Sequence, residues 1–151
     1  MRQLLTFGLS LLLLMTVQAG AALAQSEEPI GMVKVAEGDA ALMRDGERLA
    51  AQPGSQVFKG DVIVTGGDGK MGVTFRDETL ISVGPDTSIA VNEYVFEPAQ
   101  GNLGFVAQMT QGTMQFISGV IAKLSPESVA LRTPTGTIGV RGTRFVVKVT
   151  P

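Results

Sequence analysis

Gly67-Asp68-Gly69-Lys70-Met71-Gly72-Val73-Thr74-Phe75-Arg76-Asp77-Glu78 decides the fold. Its first six residues spell G-x-G-x-x-G, the spacing of a dinucleotide-binding turn. That turn works only when a helix follows and its N-terminus receives the pyrophosphate. Here Met71, Val73 and Phe75 alternate with Gly72 and Thr74, the period-2 pattern of a half-buried strand. The glycines are therefore a turn, and the segment reads turn, strand, turn. A P-loop fails as well, because Gly69-Lys70 is followed by Met71 where serine or threonine must reach the metal.

The same grammar runs outward in both directions. Ile89-Ala90-Val91, Gly112 to Ile117, Val129 to Arg132 and Phe145 to Val149 are further short strand candidates. Asp45-Gly46, Pro53-Gly54, Gly84-Pro85-Asp86 and Ser125-Pro126 punctuate them with turn chemistry. Strands at this spacing predict an all-β single domain of short strands, built as a β-solenoid-like roll or a β-sandwich. Nineteen glycines disfavour helix, and the best window for a helical turn is Gly119 to Lys123. Gly38-Asp39, Gly60-Asp61, Asp68-Gly69 and Pro85-Asp86 mark the joints between apolar runs, at a spacing too uneven for a strict repeat. Glu97 to Asn102 reads as the longest exposed loop.

The N-terminus reads as an export signal. Arg2 precedes an apolar run from Leu4 to Val17, and Ala22-Leu23-Ala24 offers small residues for cleavage after Ala24. The run is shorter than the roughly 20 apolar residues of a membrane span. The expected organisation is a signal peptide over 1–24, a flexible lead over 25–32 and a β domain over 33–151. The expected address is the periplasm or the medium, with no membrane span after cleavage. Lipid attachment at the new N-terminus needs a cysteine, and the chain has none. Removing 24 of the 151 residues leaves 127, enough to bury a core without disulfides. It also leaves 11 basic and 14 acidic residues, a net charge of −3. That balance argues against nucleic acid, which selects a basic face.

Chemistry is narrowed by absences. Without histidine there is no imidazole base, ligand or pH switch, and without cysteine there is no thiolate chemistry. Asp61, Asp68, Asp77, Glu78 and Asp86 fall near turns, where aspartates bond their own backbone more often than they catalyse. The reading is a non-enzyme with no cofactor and no metal site. Tyr94 is the sole tyrosine of a chain without tryptophan, so a glycan platform has little material. It is retained as a partner-binding residue, with Arg141, Thr143 and Arg144. The two arginines flank Gly142-Thr143 and have two readings. One is a strand, a glycine-permitted bulge and a return strand, with solvated or ion-paired arginines. The other is a pair of guanidinium forks offered to a carboxylate, a sugar acid or a partner protein.

Read in order, several pieces resemble the FecR-like domain of the bacterial envelope. They are Gly60-Asp61-Val62-Ile63-Val64-Thr65, Gly69 to Thr79, Gly112 to Phe116, Arg132-Thr133-Pro134 and Gly139-Val140-Arg141-Gly142-Thr143-Arg144-Phe145. The resemblance runs from about Val33 onward. It implies an extracytoplasmic β domain that works by binding. The family's best-known members are inner-membrane sensors whose periplasmic part hears an outer-membrane transporter during iron uptake. This chain shows a leader and no second apolar run, so only the extracytoplasmic domain carries over. The expected function is an exported, non-catalytic binding or regulatory module that meets an envelope protein. The alternative is a structural or carbohydrate-binding accessory protein attached to envelope glycan. At the turn after Phe75 the family pattern has glycine after aspartate. Glu78 stands there, so that turn is expected to take another form.

Overall fold

A computed structural model describes residues 27–151, and in it twelve strands form one sheet that curls on itself. The strands are β1 (Gly31–Glu37), β2 (Ala40–Arg44), β3 (Glu47–Ala50), β4 (Gln56–Val57), β5 (Val62–Thr65), β6 (Lys70–Phe75), β7 (Leu80–Val83), β8 (Ser88–Glu97), β9 (Asn102–Ile117), β10 (Val129–Thr133), β11 (Gly136–Gly139) and β12 (Arg144–Val149). The one α-helix among the described residues is α1 (Val120–Leu124), overlapping the window Gly119 to Lys123 that the sequence singled out. No helix there is long and apolar enough to cross a membrane. All pairings are antiparallel except β9 with β10. The fold is all-β and single-domain, and it is a roll, because one strand belongs to both layers.

That strand is β9. Its first half lies between β8 and β10, and its second half lies between β7 and β12. The first layer runs β4-β1-β6-β7-β9 and the second β3-β2-β5-β8-β9. The chain passes between them several times, and four of the passages, at Gly38-Asp39, at residues 66–69, at residues 84–87 and within β9 itself, lie close together. These crossings stack along one edge. Gly66 N donates to Asp39 O (2.8 Å), Asp86 N to Gly66 O (3.0 Å) and Gly84 N to Thr113 O (3.0 Å). Two buried hydroxyls stitch the stack. Thr65 Oγ1 donates to Gly84 O (2.7 Å) and accepts from Thr87 N (3.0 Å), while Thr87 Oγ1 accepts from Thr113 N (3.0 Å). Three of the four joints marked in the sequence therefore lie side by side.

The bend in β9 needs Gly112. Its φ is +101°, and a Cβ there would stand 2.2 Å from Thr87 Oγ1. The bend also changes the strand's parity. Phe105, Ala107 and Met109 face the core before it, and Met114 and Phe116 after it. A second irregularity, between Val91 and Glu93, shifts β8 in the same way, so Ile89, Val91 and then Tyr94 are buried. These shifts explain why two strands of 10 and 16 residues read as short ones in the sequence. The segment from Glu97 to Asn102 is exposed, and it is a tight hairpin around a 3-10 turn at Pro98–Gln100.

Between the layers Phe105 sits at the centre of an aromatic chain. Phe75 meets it edge-on at 5.0 Å, Tyr94 at 5.6 Å and Phe116 at 5.8 Å. The flexible lead over 25–32 is corrected at its far end. Ile30 is buried, its N–H donates to Val57 O (2.8 Å), its carbonyl accepts from Arg76 N (2.9 Å), and β1 starts at Gly31. A single isoleucine between proline and glycine carries no period, so pairing partners far along the chain decide its state. The cleavage point after Ala24 lies outside the described residues.

Asp61, of the Gly60-Asp61 joint, is a structural anion with 1% exposure. Arg44 forks onto it with Nε at 2.8 Å and one terminal nitrogen at 2.7 Å, and Phe58 N donates to it at 2.9 Å. The guanidinium lies over the Phe58 ring at 4.4 Å, and its hydrogen bond to Asp61 raises the Arg44 pKa. The pair is asymmetric, since the Arg44 side chain is 33% exposed. Arg44→Ala strands a buried carboxylate and is expected to cost about 3–5 kcal/mol. Asp61→Ala leaves a cation that can rehydrate and is expected to cost less, about 1–3 kcal/mol. Urea unfolding of the two variants checks the order, and an equal or reversed order would show that Asp61 reaches water on its own.

The turn after β6 is left-handed at Glu78. Glu78 N donates to Phe75 O (3.0 Å), Phe75 N donates to Thr79 O (2.9 Å), and Glu78 has φ of +68°. The backbone takes the left-handed form that favours glycine, and glutamate bears the strain. Glu78 is exposed and its side chain supports nothing in the turn, so Glu78→Gly is expected to stabilise the fold by up to about 1 kcal/mol. A lowered melting temperature would count against this account of the turn.

Candidate functional site

The C-terminal segment leaves the roll as an exposed unit. β10 joins the side of β9 and turns back through Pro134-Thr135 into β11, with Thr133 Oγ1 donating across the turn to Gly136 O (3.0 Å). Every residue of β11 is exposed, and among the described residues it pairs with β10 alone. Val140 then dips into the core and anchors the crossing to β12. Ser118, at the end of β9, holds that crossing from beneath. Its N–H donates to Thr143 O (2.9 Å) and its Oγ to Gly142 O (2.7 Å).

Arg141, Thr143 and Arg144 therefore stand together on a braced, exposed segment. Among the described residues neither guanidinium has a carboxylate partner within salt-bridge distance. Arg141 lines an open groove of about 580 Å³, with Val129, Thr137 and Glu127. Ser125 Oγ donates to Glu127 Oε1 (2.7 Å) and holds that exposed carboxyl below its ordinary pKa. The groove thus carries one fixed anion and one cation on an otherwise small-residue floor.

Tyr94 does not join them. It is 7% exposed and belongs to the interior. Its hydroxyl donates to Asp77 Oδ1 (3.0 Å) and accepts from Asp77 N (2.9 Å). Burial, then the Asp77 charge, pushes the phenol well above its ordinary pKa. Plain alternation from Ile89 and Val91 would put Tyr94 on the outer face, and the β8 irregularity turns it inward. Asp77 itself is a hub. Thr79 Oγ1 (2.7 Å) and Ile121 N (3.2 Å) donate to its other oxygen, and Val120 N donates to its carbonyl (2.7 Å). The hub ties β8, the β6–β7 turn and the start of α1 together.

The other carboxylates singled out in the sequence are dispersed. Asp61 is neutralised by Arg44, Asp77 is enclosed by its donors, and Asp68 accepts from Asp39 N (3.1 Å). Among the described residues no three His, Cys, Asp or Glu side chains gather as a metal site would require. Ser118 is the residue that sequence reasoning missed. A lone serine after an isoleucine carries no signal until Gly142 and Thr143 are folded over it.

Gly142 has φ of +106° with open space around its α-carbon. A β-branched side chain there is strained by the backbone alone. Gly142→Val is therefore expected to destabilise by about 1–3 kcal/mol, and Arg141→Ala, at an exposed position, by at most about 0.5 kcal/mol. Thermal melts of the two variants test this, and equal melting temperatures would defeat the structural reading of the Arg-Gly-Thr triplet.

A family model described as FecR protein matches residues 61–151. No curated protein matches the chain. Among solved structures, a cell surface anchoring domain is similar at 26% identity, with a TM-score of 0.39, over 40% of this chain and 82% of that one. The family match starts later than Val33, where the sequence resemblance was placed. It still takes in most of the crossing stack, the Asp77 hub and the whole C-terminal face, and it covers more than half of the chain. The chain belongs to the FecR protein family.

Proposed function

We propose that this protein is a non-catalytic binding module of the cell envelope, exported by its N-terminal leader, which docks a protein partner on the β10–β12 face. The observation that carries the reading is the braced triplet. Ser118 spends two hydrogen bonds on holding Gly142 and Thr143, and the arginines on either side are left facing solvent. Such a segment is pre-organised, so a partner that engages it loses little ordering entropy. Arginine is also the side chain best suited to fork onto a partner's carboxylates. Family membership and the apolar run from Leu4 to Val17 support the extracytoplasmic address. The glycan-accessory alternative loses its aromatic, because Tyr94 is committed to the interior.

Site-specific photo-crosslinking in living cells tests the proposal, from Thr137 and Arg141 on this face and from Glu47 on the far edge of the sheet. The expected outcome is one discrete envelope protein captured from 137 and 141 and absent from 47. Glycan adducts at 141, or the same captured species from all three positions, would replace the proposal with a structural or glycan-accessory role.

A further inference from the structure

We infer that the free edge of β12 takes up an extended acidic segment of the partner as an added strand. The inference rests on the docking face just proposed and names what that face recognises.

The first observation is which backbone groups are spare. Ser118 N donates to Thr143 O, so residues 118 and 143 form a hydrogen-bonded antiparallel pair. By alternation, Phe145, Val147 and Val149 spend their N–H and C=O groups on β9. Those of Arg144, Val146 and Lys148 point away from it, and among the described residues no strand lies there. The opposite side of β9 obeys the same rule, with Gly84 N donating to Thr113 O. β12 thus offers an unpaired ladder over most of its length.

The second observation is unfinished burial. Phe145, Val147 and Val149 face the core and are only half-buried, although Phe145 stacks on Phe116 at 5.0 Å. On the outer face Val146 is 63% exposed, among the largest exposures of any apolar side chain described. A strand laid alongside would cover both faces at once, which is how strand addition combines backbone affinity with side-chain selection.

The third observation is charge. Residues 128–151 contain Arg132, Arg141, Arg144 and Lys148 and no Asp or Glu, in a chain whose net charge is −2. Cations on an edge strand are a common guard against self-pairing. Here they also choose the occupant. A second β12 would bring Arg144 and Lys148 of one copy up to those of the other. An acidic segment meets them with opposite sign. The matching strand has carboxylates four residues apart on the outer face, opposite Arg144 and Lys148, and apolar side chains at the two inward positions between them.

The probe is a capped peptide with the core Glu-Val-Thr-Val-Glu, and its control is Lys-Val-Thr-Val-Lys. Each is titrated into the purified full chain and followed by amide NMR and hydrogen exchange. The acidic peptide is expected to slow exchange at Val146 and Lys148 and to bind at least about five-fold tighter than the lysine control, with the difference shrinking as salt is raised. Val146→Pro removes one edge donor and no bond to β9, so it is expected to keep the fold and abolish binding. Arg144→Glu with Lys148→Glu is expected to reverse the preference between the peptides. Equal binding of both peptides, binding by the folded proline variant, or no change at β12 amides would each overturn the inference. So would a dimer of the protein that Val146→Pro dissolves, since the occupant would then be a second copy. Capture from Arg141 in cells with silent β12 amides would leave the docking face standing and remove strand addition; loss of both would remove the two together.

Discussion

Everything in this fold hangs on the edge where the chain passes from one layer to the other. Four crossings stack there, and the hydroxyls of Thr65 and Thr87 satisfy carbonyls and N–H groups that the turns would otherwise leave buried and unpaired. An unpaired buried polar group costs about 1–3 kcal/mol, so the stack tolerates little rearrangement. It also sets the register of both layers at once. Once Gly66 is bonded to Asp39 and to Asp86, β2 must lie beside β5 and β5 beside β8, and the same crossings order β1, β6 and β7 opposite. β9 is the limiting case, a crossing with no turn at all, made by Gly112 within a continuous strand.

A roll closed along one edge must be sealed elsewhere, and two aspartates serve that need. Asp77 collects a phenol, a threonine hydroxyl and the first amides of α1, and Asp61 collects the Arg44 fork and the Phe58 amide. A carboxylate so enclosed is a fastener, because both of its oxygens already accept hydrogen bonds from the chain itself. The aspartates that first attract attention in the sequence are therefore spent on structure. The arginines of the last strands, by contrast, are exposed and have no carboxylate partner among the described residues.

Alternation and turn residues made the class of the fold legible, because strands with one buried face and glycine-marked joints follow from local chemistry. The family was legible for the same reason, since its motifs are those joints. What stayed hidden depends on parity and on distant partners. Val91 and Tyr94 read as opposite faces until an extra residue in β8 puts them on the same one. Glu78 reads as a break in a glycine pattern, whereas the hydrogen bonds between Phe75 and its neighbours across the turn hold it left-handed despite its side chain. Ile30 belongs to the sheet only because Val57 and Arg76 come back to meet it. Of the four residues singled out for binding, the three near the C-terminus were found through composition, arginines beside a glycine, and they do lie together. The fourth was chosen for scarcity alone, and scarcity says nothing about orientation.

An exposed edge is useful for recognition only if it is stiff, and β12 has reasons to be. Six consecutive residues pair with β9, the strand shared by both layers. Phe145 stacks on Phe116, which meets Phe105 at the centre of the core. Val140 and Ser118 fix the segment that leads into it. Fluctuation at the edge therefore has to disturb the interior, which lowers the entropy lost when something binds there. The same connection makes the edge hazardous, since a rigid, half-apolar strand also invites unwanted pairing. Arg144 and Lys148 answer that hazard by charge and not by a bulge or a proline, and charge discriminates: it repels a copy of the same strand and admits one of opposite sign. A protein needing only protection could have closed the edge outright with a proline at Val146, whose N–H bonds nothing in the sheet. That the strand keeps this donor, in the middle of its one free face, is the feature that separates a guarded edge from a merely blocked one.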